Sequence, residues 1–504
     1  MTLASWSRAA TLAHLRSLRV AVWAAILAVA SAIMAFVPLF DVLGFEWAFV
    51  MALLAAPASG DLAGALIRRA RAAERPPLDR AMGPARLLAV LLGRAALVNL
   101  ALLLPPLLII SLNAVRAPNC DWWFGIESFL LLPVPAVLAG TCVGVLSALV
   151  AGNRRRLGIA LPYLVVVASL LYAVWRFYAA PPVFSYNLFA GYYPGNLYDE
   201  EIGFALPFLW SRLFQTSLLL ALLAAAVLTL DVPDLRLTVR YPLPSGRRLA
   251  AGAVAIGAAA LAALLWARSG TLGFDIDADD IKAELGGRHE TEHFVIWYPR
   301  GGVIARDIEL IGEDHEFRLA QVVRTLGAAP SGKITSFYFA DAEHKFRMMG
   351  ARNVYMAKPW RGEIYVHHMP FPHGVLRHEI THVVAAEFGD PIFGVSIRSR
   401  LGLPFFNVGL IEGTAVAVDW PDHRAAGMTP HQSVKAMREL GIDPPLEQLL
   451  SLGFLSFSAA RSYTVAGSFV RFLLDRWGAD RLRVLYHTGG AFFIANALAR
   501  ARRR

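Results

Sequence analysis

Residues 378–382 read His378-Glu379-Ile380-Thr381-His382. In a helix, residues four positions apart lie on the same face, so the two imidazoles can bind one divalent ion. The Glu379 carboxylate lies beside that ion, where it can accept a proton from a water that the ion activates. The pattern therefore predicts a helix that carries two metal ligands and the general base of a hydrolase. The alternative is a helix with two histidines on its surface.

A third ligand is expected farther along the chain, because catalytic zinc usually takes three protein ligands and leaves one position for water. Residues 408–415 read VGLIEGTA, and Glu412 is the carboxylate within this apolar, helix-prone run. An unpaired carboxylate would be costly to bury there, whereas a metal-bound one is compensated. Glu412 is therefore the candidate third ligand of one Zn2+ per chain. The alternative is a glutamate that caps a helix or forms a salt bridge.

These motifs resemble those of the gluzincin, or peptidase-MA-like, metallopeptidases, in which the HExxH helix is followed by a helix with Glu-Gly-x-Ala. The resemblance covers about residues 290–490. It implies an α+β, thermolysin-like fold, with Glu412 as the third zinc ligand. A departure from the family is that no Gly-x-Met-Glu-Asn segment precedes residue 378. The glutamate that binds the substrate N-terminus in aminopeptidases of the family therefore has no counterpart.

Tyr463 is the second catalytic candidate besides Glu379. It begins a Tyr-x-x-Ala-Gly-Ser-Phe run, which resembles the segment whose tyrosine stabilises the oxyanion in aminopeptidase-like gluzincins. A phenol can donate a hydrogen bond where negative charge develops on the intermediate. The alternative is a core tyrosine with a satisfied hydroxyl. Asp419 and His487 are weaker candidates, which could orient a ligand or contact the substrate; the alternative for both is a structural role.

Alternation and helical periodicity give the secondary structure around these motifs. Glu292 to Tyr298 alternates as a strand does, and Ala305 to Leu326 is amphipathic at helical spacing. Further strands are expected at Ile334 to Phe339 and at Gly362 to His367. The last of these is a candidate edge strand that could pair with an extended peptide. His367 and His368 at its end are interpreted as exposed; the alternative is that they contact the substrate.

The first half of the chain has the composition of a membrane protein. The chain is 56% hydrophobic and 17% charged, with a mean hydropathy of +0.49, and the apolar excess lies before residue 268. A bilayer core requires about 20 mostly apolar helical residues. Seven spans are predicted, at 20–40, 47–67, 87–112, 128–150, 157–178, 206–230 and 249–267. The second is the least secure, because Pro57, Gly60 and Asp61 interrupt it.

These spans predict an all-α polytopic membrane domain at 1–267, a connector at 268–290 with at most one helical turn, and the α+β gluzincin-like domain at 291–504. The loop at 179–205 is rich in aromatic residues. The default interpretation of such residues is an aromatic belt at the headgroup level. The alternative is a loop that packs beneath the catalytic domain or helps to gate the substrate.

Arginine accumulates in alternate loops, as expected if those loops are cytoplasmic. The arginine-rich segments contain Arg8, Arg16 and Arg19; Arg68, Arg69, Arg71, Arg75, Arg80 and Arg86; Arg154, Arg155 and Arg156; and Arg236, Arg240, Arg247 and Arg248. Residues 41–46 contain no arginine, 113–127 contain one, and 179–205 carry Asp199, Glu200 and Glu201. Seven spans with a cytoplasmic N-terminus place the metal domain outside. In a bacterium this is the periplasmic side of the inner membrane.

Arginines beside the spans account for most of the net charge of +10, and no basic groove with stacking aromatics indicates a nucleic-acid partner. The expected partners are a peptide or protein substrate and the lipid bilayer. A rival function is a transporter or membrane-assembly subunit. The arginine-rich loop after the second span weakly resembles ABC-2-type permeases, but no P-loop is present, so a separate ATPase would be required. An intramembrane protease is disfavoured, because Arg377, Glu379 and Glu387 cannot face lipid.

Overall fold

The computed structural model describes residues 9, 11–72, 83–194, 202–238, 246–400, 403–420 and 427–489, with backbone alone at 398–400, 403 and 404. The chain forms two compact units. The first extends to Ile276 apart from Pro181–Val183, and the second includes Pro181–Val183 and begins again at Asp277. Arg8, Arg75, Arg80, Arg240 and the acidic residues 199–201, all used in the loop assignment, lie outside the described residues.

The first unit is helical. Its helices α1 to α9 are Leu18–Met34, Phe45–Ala72, Pro84–Ala101, Leu104–Leu112, Trp122–Leu131, Pro133–Ala151, Arg155–Ala179, Leu206–Thr229 and Gly246–Ala267. Short antiparallel pairs join β1 (Ser185–Asn187) to β2 (Gly191–Tyr193) and β3 (Leu230–Asp231) to β4 (Arg236–Leu237). In the described part of the chain, six helical segments are long and apolar enough to cross a membrane. These segments indicate a membrane-spanning protein.

Seven spans were predicted, and the first of them does not form a membrane-length helix. Helix α1 has 17 residues and ends at Met34, whereas the prediction ran to residue 40. The chain turns after Met34, and Pro38 cannot donate a helical hydrogen bond. The least secure span is instead continuous, because α2 has 28 residues with Pro57 inside it.

Close packing of small residues explains how α2 accommodates its glycines. A Cβ added to Gly144 of α6 would lie 2.1 Å from the Gly60 carbonyl oxygen, so glycine is required where the two helices meet. Asp61 on α2 is 4% exposed and pairs with Arg19 at 2.5 Å. The residues that weakened the prediction therefore form the contacts by which α2 packs inside the unit.

Two aromatic residues of the 179–205 loop, Phe189 and Tyr192, lie inside the first unit and not in an exposed belt. Phe189 and Tyr192 are 0% and 7% exposed and belong to an apolar cluster with Phe208 of α8. The belt interpretation is therefore wrong for Phe189 and Tyr192. Part of the same loop, Pro181–Val183, belongs to the second unit, where the amide of Val183 donates to the Met349 carbonyl at 3.2 Å.

The second unit is mixed α/β. Its helices α10 to α18 are Ala278–Leu285, Gly302–Arg306, Ile308–Leu326, Ala342–Met349, Leu376–Ala385, Val408–Val418, Pro430–Glu439, Leu446–Leu449 and Ala459–His487. Its strands β5 to β11 are Gly286–Glu290, Phe294–Pro299, Ile334–Phe339, Met356–Lys358, Glu363–His367, Ile397–Arg400 and Leu403–Phe406. The last two form a separate hairpin, and α18 is interrupted at Gly478.

Five strands form one mixed sheet in the order β5, β6, β7, β9, β8. Strands β6, β7 and β9 are parallel, and the two outer strands are antiparallel to their neighbours. The prediction that Gly362 to His367 forms an edge strand is wrong, because β9 pairs with a strand on each side. The edge is β8, whose three residues are too few to produce a clear alternation. About half of the predicted connector is regular secondary structure and not a linker, because it forms α10 and β5.

The sheet shares an apolar core with helices α12 and α14. Phe294 and Ile296 of β6 pack in one buried cluster with Leu319 and Val322 of α12 and Ile380 of α14. The strand residues are two positions apart and the α12 residues three positions apart, as expected for a strand and a helix that each bury one face. This core holds α14, which contains residues 378–382, against the sheet.

Candidate metal centre

The three predicted ligands meet at the interface between helices α14 and α15. Nε2 atoms of His378 and His382 lie 3.4 and 3.5 Å from the same oxygen, Oε2 of Glu412. One ligand atom from each residue lies within 4.8 Å of the other two. The three side chains are 10 to 20% exposed. Among the described residues, these three form the one cluster of His, Cys, Asp or Glu side chains that could hold a metal ion.

The donor set and its spacing fit zinc. Zinc bonds of about 2.0 to 2.2 Å in a tetrahedral site require ligand atoms roughly 3.3 to 3.6 Å apart. The two separations between histidine nitrogen and glutamate oxygen fall in this range. Two imidazoles and one carboxylate leave a fourth position for water or substrate. The predicted ligands His378, His382 and Glu412 are therefore close enough together to hold one metal ion.

The electrostatics of the site favour a bound cation. Burial disfavours the charged imidazole of His378, but the Glu412 and Glu379 carboxylates outweigh burial and raise its pKa to about 9. Burial disfavours the charged form of Glu412 as well, yet His382 and His378 hold the pKa of this carboxyl well below its ordinary range. The two acids thus stabilise a positive charge at His378, where a metal ion must compete with a proton.

A salt bridge holds the two ligand-bearing helices together. Nε of Arg377 on α14 lies 2.7 Å from Oδ1 of Asp419, the residue that follows α15. The same guanidinium donates to the Trp420 carbonyl at 3.0 Å. Asp419 therefore joins α14 to the end of α15. This salt bridge is a structural role, and the predicted roles of Asp419, orientation of a ligand or contact with the substrate, stay predictions.

Two glycines allow α15, the helix that carries Glu412, to pack closely against α18. A Cβ added to Gly413 would lie 2.8 Å from the Ala466 carbonyl oxygen of α18, and one added to Gly467 would lie 2.2 Å from Cγ1 of Val416. Such separations are too short for a real Cβ, so glycine allows the two helices to approach closely. The Glu-Gly pair in α15 and the Ala-Gly pair in α18 are therefore two sides of one helix contact.

This helix contact also brings Tyr463 to the metal site. Tyr463 lies one turn before Ala466 on α18 and therefore on the same helical face. Its ring centroid lies 6.4 Å from that of His378 and 5.2 Å from that of Phe454. The aromatic ring is thus next to a ligand, as the predicted role requires. His487, by contrast, is exposed at the end of α18.

Glu379 is 4% exposed and belongs to a further group of polar residues. Burial raises its pKa, and the charges of His378, His382 and Lys345 oppose this effect. Lys345 of α13 is fully buried and donates to the Val354 carbonyl at 2.8 Å. No local pattern in the sequence indicated Lys345, because it precedes Glu379 by more than thirty residues and reaches it only through the fold.

The comparisons with known proteins add no family to this geometry. No protein-family model matches the chain, and no curated protein matches it at a significant level. The functional assignment therefore depends on the residues and their arrangement.

Proposed function

We propose that the second unit is a zinc-dependent metallopeptidase of the gluzincin type. The observation that carries this proposal is the convergence of His378, His382 and Glu412, with three ligand atoms within 4.8 Å of one another. The buried Glu379 follows the first ligand directly in the chain. A structural helix would not require two histidines, two acids and a neighbouring phenol at one point.

The chain would hold one Zn2+ through His378, His382 and Glu412. Zinc in such a site lowers the pKa of a bound water to about 7 and polarises a carbonyl oxygen. Glu379 would accept the proton of the attacking water and deliver it to the leaving amine. Tyr463 would donate a hydrogen bond to the oxyanion. The substrate is a peptide or a protein segment.

The test is a pair of substitutions that separate metal binding from catalysis. Glu379→Gln should keep zinc and lower cleavage of a fluorogenic peptide library by about 10²- to 10⁴-fold, because it removes the general base. His378→Ala should lose both zinc and cleavage. Glu387→Gln is the matched control, since its exposed carboxylate accepts from the Ser331 amide at 2.7 Å, outside the site. Full activity of the Glu379→Gln protein would refute the mechanism.

The proposal places this unit outside the inner membrane of a bacterium, with the N-terminus in the cytoplasm. The alternation of arginine-rich loops supports seven crossings, of which α1 would be the first. Its 17 residues span about 25 Å, a mismatch that a bilayer tolerates by local thinning. A C-terminal alkaline phosphatase fusion should be active and a green fluorescent protein fusion dark. The opposite result would mean that α1 does not cross.

The rival function, a transporter or membrane-assembly subunit with a domain that only binds a partner, makes a different prediction. Such a domain has no need of stoichiometric zinc or of Glu379. Purified protein that binds peptides tightly, contains no zinc and cleaves nothing would favour this rival.

A further inference from the structure

Tyr355 is a second phenol near Glu379, on the side of the edge strand. It immediately precedes β8, which packs against α14, and its side chain is half-buried. Burial and the charge of Glu379 together raise the pKa of Tyr355. The phenol therefore stays protonated and lies within electrostatic range of the proposed general base.

Three side chains hold the Tyr355 ring. Its hydroxyl lies 2.8 Å from Nε2 of His367 and 3.1 Å from the sulfur of Met369. The His367 ring stacks on it with centroids 4.6 Å apart, and the Lys345 ammonium lies 4.2 Å from the ring centroid. A phenol that contacts an imidazole, a thioether and an ammonium group keeps one orientation, which is what a group that recognises substrate requires.

The proton arrangement at His367 determines what the Tyr355 hydroxyl can do. Burial and the charge of Lys345 lower the pKa of His367 to about 4, so its ring is neutral at pH 7 and carries one N–H. Its Nδ1 is buried without a hydrogen-bond partner among the described residues. A proton on Nδ1 would be an unpaired buried donor, which proteins avoid more strictly than an unpaired acceptor. The proton is therefore assigned to Nε2, which donates to the Tyr355 oxygen.

This assignment leaves the Tyr355 O–H directed away from His367. The acceptor that lies within reach is the Met369 sulfur, and a thioether accepts only weakly. A stronger acceptor, such as a peptide carbonyl, would displace it. We propose that Tyr355 donates a hydrogen bond to a backbone carbonyl of the bound peptide, and that His367 is the positioning residue that keeps this O–H directed away from itself and available to the peptide. This role rests on the proposed peptidase function.

A neighbouring pair provides a matched control. The Tyr338 hydroxyl lies 3.2 Å from Nδ1 of His368, so it too joins a tyrosine to a histidine at the end of β9. Tyr338 is 1% exposed, however, and cannot contact a substrate. Loss of its hydroxyl should affect the fold as much as loss of the Tyr355 hydroxyl, without affecting peptide binding.

The experiment measures binding of a labelled peptide, selected as a substrate of the parent protein, by fluorescence anisotropy in the full-length zinc-loaded Glu379→Gln background. Tyr355→Phe should weaken binding by about 3- to 10-fold, the effect of one hydrogen bond. His367→Phe should do the same, and the double variant should be no weaker than Tyr355→Phe alone. His367→Gln, which keeps a donor near the Nε2 position, should restore most of the affinity, and Tyr338→Phe should have no effect.

Unchanged binding in Tyr355→Phe, or equal losses in Tyr355→Phe and Tyr338→Phe, would overturn the role of Tyr355. In both cases the parent protein would still contain zinc and cleave the peptide, so the proposed function would stand. Failure of the parent to bind zinc or cleave any peptide would overturn both.

Discussion

Zinc binding should release a proton from His378. The two acids beside this imidazole raise its pKa to about 9, so at pH 7 the ring is protonated in the metal-free protein. A metal ligand must be the neutral ring, so binding displaces the proton. The sign follows: below pH 9, affinity should fall as the pH falls. Glu412 adds no proton to this balance, because its pKa lies well below the ordinary range.

The magnitude follows from the same value. With a pKa of about 9, the fraction of neutral His378 falls about tenfold for each unit of pH, which costs about 1.4 kcal/mol of binding free energy per unit. The apparent dissociation constant should therefore be at least about tenfold higher at pH 7 than at pH 8, and ionisation of the zinc-bound water would add to this difference. Competition with a zinc-selective fluorescent chelator at fixed free zinc measures this slope directly.

Calorimetry counts the proton independently. Titration of zinc into the full-length protein in buffers of different ionisation enthalpy should show release of between one and two protons at pH 7.5, one from His378 and a fraction from the zinc-bound water, whose pKa would be about 7. Glu387→Gln should behave as the parent does. Release of less than one proton would refute the reasoning, because the bound water alone would account for it. His378 would then be neutral before binding or would not be a ligand.

Two further predictions concern the scaffold of the second unit. Gly413→Ala should destabilise it by about 1 to 3 kcal/mol through overpacking and weaken zinc binding, because the new Cβ meets a backbone carbonyl at 2.8 Å. Urea unfolding and chelator competition measure the two effects, and Gly301→Ala, with open space around it, is the control. His315 is fully buried, and burial lowers its pKa to about 4. The unfolded chain, with a histidine pKa of about 6.5, takes up the proton first as the pH falls. The free energy of unfolding of this unit should therefore decrease by about 2 kcal/mol between pH 7 and pH 5. Comparison of the parent with His315→Gln by urea unfolding at both pH values isolates this contribution, and an equal loss in both proteins would contradict it.

Local spacing was sufficient to predict the parts of the site that lie on single helices. His378 and His382 share a face because they are four residues apart, and Glu412 stands out as an acid in an apolar run. That these two helices meet was an expectation from the resemblance. The physical reason they can meet is the close approach at Gly413.

The parts that could not be predicted depend on contacts between distant segments. Lys345 and Tyr355 reach Glu379 only after β7, β9 and β8 have paired, and strand order is not encoded in the alternation of any one strand. The same limit explains the wrong edge strand. In the first unit, the prediction was least secure at Gly60 and Asp61, where tertiary contacts with α6 and Arg19 outweigh local propensity.

The most direct test of the central claim is the zinc content of the purified full-length protein and of one ligand variant. Mass spectrometry of the metal should find about one zinc ion per chain in the parent and almost none in Glu412→Ala, with Glu387→Ala equal to the parent. Equal zinc in the parent and in Glu412→Ala, or no zinc in either after loading, would contradict the proposed metal centre.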